Sequence, residues 1–176
     1  MSVATVSLRA GVKVSVGLLL ALSGASCNYS FRAGSFPPEH IRTIAIELFE
    51  NQTNRFELSA ELYDQLLTNL PSALGIRTAG ADIADAVVRG SITRFDVVTP
   101  NYTAGAAGQA AQVVQRQVSI AVSVEIIDLV ENVILWESSS LAAQGEFAEG
   151  APELEGRSEA IELLVQRIVD GAQSNW

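Results

Sequence analysis

The clearest pattern in the chain runs from Gln117 to Asp128, where Val118, Ile120, Val122, Val124 and Ile126 alternate with Gln117, Ser119, Ala121, Ser123 and Glu125. A period of two puts one set on a buried sheet face and the other on the opposite face, which predicts a strand. Residues 42–49 repeat the pattern, with Ile44, Ile46 and Leu48 set against Thr43, Ala45 and Glu47. Residues 86–98 alternate less cleanly, and Gly90 within them marks a bulge or a close backbone approach. After a turn near Glu131 and Asn132, residues 133–147 form a fourth strand.

Two segments change period. Leu58, Leu62, Leu66 and Leu70 recur every fourth residue, joined by Tyr63 and Leu67, which is the stripe of a helix packed on one side. Asn54 and Glu57 have the spacing of a capping box at its start, and Pro71 and Gly75 mark its end. Near the C-terminus, Ile161, Leu164, Val165, Ile168 and Val169 follow helical spacing after a polar loop, residues 148–157, that contains Gly150, Pro152 and Gly156. Residues 99–111, rich in Gly, Ala and Asn, read as a loop. The order β-α-β-β-β-α predicts an α+β fold: a two-layer sandwich with a four-stranded, mainly antiparallel sheet covered on one face by two helices. A crossover through the first helix permits one parallel pair, and the last three strands can form a meander. The other sheet face is left for water or a partner.

The N-terminus follows a different logic. Arg9 and Lys13 precede an apolar run over residues 14–23, about half the roughly 20 residues that span a bilayer. That is the form of a secretory signal. Ser23, Gly24, Ala25 and Ser26 are small, and Cys27, the chain's one cysteine, follows at the cleavage position. The stretch 22–27 resembles a lipobox, with Gly24 where such sites favour leucine. The resemblance implies that residues 1–26 are removed as a lipoprotein signal peptide, that Cys27 carries a covalent diacylglycerol and acyl (palmitate-type) anchor, and that residues 27–40 are a lipidated tether. Residues 41–176 then form a single α+β domain. Several acyl chains hold a protein stably on a membrane surface where one holds marginally. With Asn28 rather than aspartate after the cysteine, the lipobox resemblance favours sorting to the outer membrane.

Charge narrows the partners. Loss of the two cations Arg9 and Lys13 shifts the formal charge from −9 to −11, which argues against bulk attraction to nucleic acid or to an anionic membrane. A hydrophobic fraction of 48% is too high for a disordered chain. Catalytic signatures are scarce. The sole histidine, His40, has no nucleophile pattern beside it, and with Cys27 given to lipid no Cys/His metal cluster can be written. Asp82 and Asp85 read as a solvated loop, as do Glu146, Glu149, Glu153 and Glu155, for which weak calcium binding is the minor reading. The expectation is a protein that is not an enzyme and has no metal and no cofactor beyond the anchor.

Residues 27–31 (Cys-Asn-Tyr-Ser-Phe), 41–46 (Ile-Arg-Thr-Ile-Ala-Ile), 49–53 (Phe-Glu-Asn-Gln-Thr), 84–92 (Ala-Asp-Ala-Val-Val-Arg-Gly-Ser-Ile) and Leu135-Trp136 together resemble the LptE family of lipopolysaccharide-assembly lipoproteins. The resemblance spans nearly all of the chain after Cys27. It departs at Asn28, commonly glycine in the family, and in the long loop after residue 147. It implies a non-catalytic outer-membrane lipoprotein that assembles with an LptD-type β-barrel and assists lipopolysaccharide delivery to the outer leaflet. The alternative is a periplasmic accessory or regulatory lipoprotein of a cell-wall synthase or an export system.

Lipopolysaccharide phosphates need cations. Arg94 and Arg116 flank the 98–112 segment, so a hairpin should bring them close and, if they face one side, give a phosphate site; Arg89 is a weaker candidate. Pairing of each with a carboxylate such as Asp96, or plain solvation, is the bland reading. The 98–112 segment carries no charge, and Tyr102 and Gln109 within it are the candidate barrel contacts.

Overall fold

The computed structural model describes residues 37–103 and 112–174. Its elements are β1 (Thr43–Ile46), β2 (Glu50–Asn51), α1 (Glu57–Leu74), β3 (Arg77–Thr78), β4 (Ala86–Thr103), β5 (Gln112–Asp128), β6 (Val133–Ala148) and α2 (Glu153–Ser174). They form an α+β fold in which two helices pack on one open, mixed sheet of six strands, ordered β3-β1-β4-β5-β6 with β2 also on β4. The long meander β4-β5-β6 is antiparallel, and β1, β2 and β3 join through parallel pairs. The expected sheet of four strands therefore gains β2 and β3, each of two residues, too short to show any periodicity.

The alternation of β5 is realised as expected. Val118, Ile120, Val122, Val124 and Ile126 are buried with Leu58, Leu62, Leu66 and Leu70 of α1 and Ile161, Leu164, Val165, Ile168 and Val169 of α2 in one core. Gly90 is a close approach, not a bulge: a Cβ there would lie 2.2 Å from the Ser123 carbonyl oxygen and 2.7 Å from the Phe49 ring. The register instead shifts between Ile92 and Arg94, where Thr93 is the extra residue.

Several boundaries move. The segment expected as a loop from residue 99 is paired as far as Thr103, opposite Gln112, so the β4-β5 hairpin is longer than its composition suggested. No capping box forms: Phe56 is the N-cap of α1 and makes no side-chain cap hydrogen bond. Asn51 takes over the preceding turn, accepting hydrogen bonds from the Thr53 amide and hydroxyl and donating to the Arg55 carbonyl. Pro71 lies inside α1, not at its end. The helix stops at Gly75, whose φ of 69° allows its own N–H to reach the Ser72 carbonyl and that of Ile76 to reach the Pro71 carbonyl. Likewise α2 begins at Glu153 within the expected 148–157 loop, with Glu153 and Glu155 suited to the positive end of its dipole. Gly156 is then helical, and it is buried because Phe147 and the Gly145 backbone lie against it.

Candidate functional site

The helix-free sheet face follows from pairing register, because residues directly opposite in antiparallel strands share a face. Arg89 is opposite Glu125, and its Nη2 and Nε donate to Glu125 Oε2 at 3.1 and 3.2 Å. Glu125 is in turn opposite Glu137, a like-charge pair that Arg89 offsets. Ser91 and Ser123 share a hydroxyl hydrogen bond of 2.8 Å, and further along Ala121 faces Ala142 and Ser119 faces Gln144. Beyond the Arg89, Glu125 and Glu137 cluster, this stretch of the face carries small or uncharged side chains.

Register also decides the arginine pair. Arg94 lies opposite Ala121, on the helix-free face, and its Nε is 3.4 Å from Asp96 Oδ2. Arg116 is separated from Ala121 by an odd number of residues along β5, so it points to the other face. There it lies opposite Phe147, its guanidinium 5.4 Å from the ring centroid. The fold therefore does not bring Arg94 and Arg116 together. The expected close pair fails because Arg94 pairs with β5 five positions from Arg116, and because the extra residue Thr93 turns Arg94 to the other face. Tyr102 lies in β4 opposite Val113. Cys27 and Gln109 lie outside the described residues.

At the opposite end of the hairpin a polar latch closes the sheet. Asp128 continues the core-facing parity of Ile126 and is fully buried. Its Oδ1 accepts the Val130 and Glu131 amides at 2.8 and 2.9 Å, and its Oδ2 meets His40 Nε2 at 2.5 Å. Donation of a hydrogen bond to the Asp128 carboxylate raises the His40 pKa against a smaller desolvation effect. Burial pushes the Asp128 pKa up, but the Glu131 amide, His40 and the Val130 amide outweigh it and leave the carboxyl below its ordinary value. Beside it Asp85 is no solvated loop residue: its Oδ2 accepts the Arg42 and Thr43 amides at 2.9 Å and the Thr43 hydroxyl at 2.8 Å. The Arg42 amide first, then the Thr43 hydroxyl, hold its pKa down.

His40, Asp128 and Glu131 each offer a ligand atom within 4.8 Å of the others. Both Asp128 oxygens hold hydrogen bonds, so the three residues as they stand form a structural clasp. Among the described residues, Glu146, Glu149, Glu153 and Glu155 form no metal-binding group: Glu153 binds Arg55 at 2.7 Å, and the Glu146 carboxylate accepts from Gln115. Local spacing could not reveal the clasp, since His40 and Asp128 lie 88 positions apart. One signal was present: a carboxylate on the buried parity of a strand demands a partner.

The LptE family, described as Lipopolysaccharide-assembly, matches residues 41–171, which take in every strand and almost all of α2. The chain belongs to the LptE family. Comparison with curated proteins gives no match. Among solved structures, the PelC dodecamer from Paraburkholderia phytofirmans is similar at 17% identity, covering 76% of this chain and 89% of that one, with a TM-score of 0.47. The hypothetical protein CT253 from Chlamydia trachomatis is 14% identical over 74% of this chain and 96% of its own, with a TM-score of 0.49. Lipoprotein GNA1162 from Neisseria meningitidis is 11% identical over 73% and 95%, with a TM-score of 0.42. At these identities and scores none of their properties transfers to this LptE-family chain.

Proposed function

We propose that this LptE-family chain loses residues 1–26, is acylated on Cys27, and serves as a non-catalytic outer-membrane lipoprotein that assembles with an LptD-type β-barrel and assists lipopolysaccharide delivery to the outer leaflet. The observation that carries the reading is the family match across residues 41–171, which embraces the folded domain and not an isolated motif. The helix-free face supports it physically. Small or paired polar residues such as Ser91, Ser123 and Ala142 can lie close against a barrel wall, away from the Arg89, Glu125 and Glu137 cluster.

The deciding experiment is affinity capture of the tagged full chain from detergent-solubilised outer membranes. A large β-barrel protein co-purifying in stoichiometric amount is the expected result. Recovery of a cell-wall synthase or an export-system subunit in its place overturns the reading in favour of an accessory lipoprotein.

A further inference from the structure

The end of the sheet that holds the His40–Asp128 clasp is apolar where turns are ordinarily polar. In and beside the β5-β6 turn, Leu129 is 43% exposed, Val130 64%, Val133 46% and Ile134 53%, and Ile83 in the neighbouring loop is 77% exposed. Leu129, Val130, Val133 and Ile134 belong to one turn, and the Leu129 amide donates to the Asp85 carbonyl at 2.8 Å, tying that turn to the loop that carries Ile83. The surface continues onto the helix-free face, where Ile134 lies opposite Ile127, and Ile127 packs with Ala45, Val87 and Ala84 in a small cluster apart from the main core. A contiguous exposed apolar surface of this kind marks an interaction site, whereas a single exposed leucine does not.

Chain geometry favours one occupant. The domain begins at this end, because His40 is bonded to Asp128, the residue before Leu129, and the Ile41 amide closes a turn onto the Pro38 carbonyl. Between Cys27 and Pro37 the chain can span at most roughly 35 Å when fully extended. The far end of the hairpin is another ~55 Å away, the length of β5 at the usual rise per residue. A membrane that holds Cys27 therefore stays within roughly 35 Å of this end in every orientation of the domain, whereas the other end can swing some ~55 Å further away. We propose that the apolar end formed by Ile83, Leu129, Val130, Val133 and Ile134 docks on the phospholipid surface that carries the Cys27 anchor. The proposal rests on the lipid-anchor reading and concerns the lipoprotein itself, with or without a barrel partner. Asp82, Glu131 and Asn132 are exposed beside these aliphatic residues, so the aliphatic side chains carry the contact and anionic headgroups add nothing to it.

The test uses the full acylated lipoprotein reconstituted in phosphatidylcholine vesicles that contain doxyl-labelled lipid as quencher. An environment-sensitive fluorophore is attached at Val130→Cys, at Ile83→Cys or, as a control on α2 near the far end, at Ser158→Cys; the acylated Cys27 thiol is not available to the label. Quenching several-fold stronger at positions 130 and 83 than at 158, unchanged between low and high salt, is the expected result. Equal quenching at all three positions in protein shown to carry fatty acid overturns the docking while leaving the anchor intact. Energy transfer between labelled copies without vesicles overturns it in favour of self-association. Failure to incorporate labelled fatty acid removes the anchor reading and this inference with it.

Discussion

Arg157 and Glu61 meet fork to fork across the two helices, with Nε donating to Oε2 at 2.9 Å and Nη2 to Oε1 at 2.8 Å. The remaining Nη1 reaches Glu57 Oε1 at 3.0 Å and lies 3.7 Å from Glu153 Oε1. The Arg157 side chain is only 13% exposed, so its charge is held largely out of water and satisfied by carboxylates that keep partial solvent contact. Two parallel charge-assisted bonds fix direction as well as distance, which sets how α2 enters beside α1.

Removing that guanidinium leaves Glu57, Glu61 and Glu153 facing one another. Arg157→Ala is expected to cost roughly 1 to 3 kcal/mol, between the value of a charged hydrogen bond and that of a screened surface pair. Urea denaturation gives the number. Glu153→Ala should cost less, because its bond to Arg157 is the longest of the three; a larger loss there would relocate the anchor to the Arg55–Glu153 contact of 2.7 Å.

A second prediction concerns close packing between β6 and α2. A Cβ on Gly145 would lie 2.0 Å from the Gly156 carbonyl oxygen and 2.6 Å from the Ala160 backbone nitrogen. Backbone cannot swing aside as a side chain can, so Gly145→Ala must push the helix off the strand. A loss of about 3 kcal/mol or more is expected. Gly80→Ala is the contrast, since a Cβ there meets nothing within 4 Å. It should be neutral or mildly stabilising through the unfolded chain.

Much of this architecture was legible because it is periodic. The five aliphatic residues of β5 from Val118 to Ile126 and the leucines of α1 are buried as their spacing requires. What periodicity cannot carry was lost. The strands Glu50–Asn51 and Arg77–Thr78 are recruited by parallel pairing with β4 and β1, a long-range event without local signature. One unpaired residue, Thr93, was enough to turn Arg94 away from the face that simple alternation through β4 and β5 suggested. The Arg157 ion pairs had no local signature, because Glu57 and Glu61 belong to another helix.

The His40–Asp128 clasp should leave a pH signature. His40 binds its proton more tightly when folded, so its stabilising effect is full below about 6.5, the unfolded value, and is lost as pH rises through the raised folded value. Asp128 holds its proton less tightly when folded, so its effect is full above about 4 and is lost as pH falls through the lowered folded value. Glu131 and Asp85 add negative potential at His40 in the same direction. The stability difference between the wild type and His40→Ala should therefore be greatest between about pH 4 and 6.5 and should shrink towards pH 9. A difference that stays level from pH 5 to 9 would show that the imidazole binds Asp128 in its neutral form.

The last prediction tests whether Arg94 and Arg116 act separately. Their attachment points are roughly 17 Å apart along the hairpin, counting from Ala121 opposite Arg94 to Arg116 at the usual strand rise. They also point to opposite faces, one towards Asp96 and the other over the Phe147 ring. Arg94→Ala removes an exposed ion pair and should change stability by less than about 0.5 kcal/mol. Arg116→Ala removes a cation–π contact with a buried ring and should cost about 0.5 to 1 kcal/mol. Side chains that share no partner at this separation contribute additively, so the double variant should equal the sum of the singles within about 0.5 kcal/mol. The same additivity should hold for binding to lipopolysaccharide micelles at low salt, where each arginine would act as a lone cation. A coupling above about 1 kcal/mol in either measurement would place both guanidinium groups in one site, and the β4-β5 register described here would then be wrong.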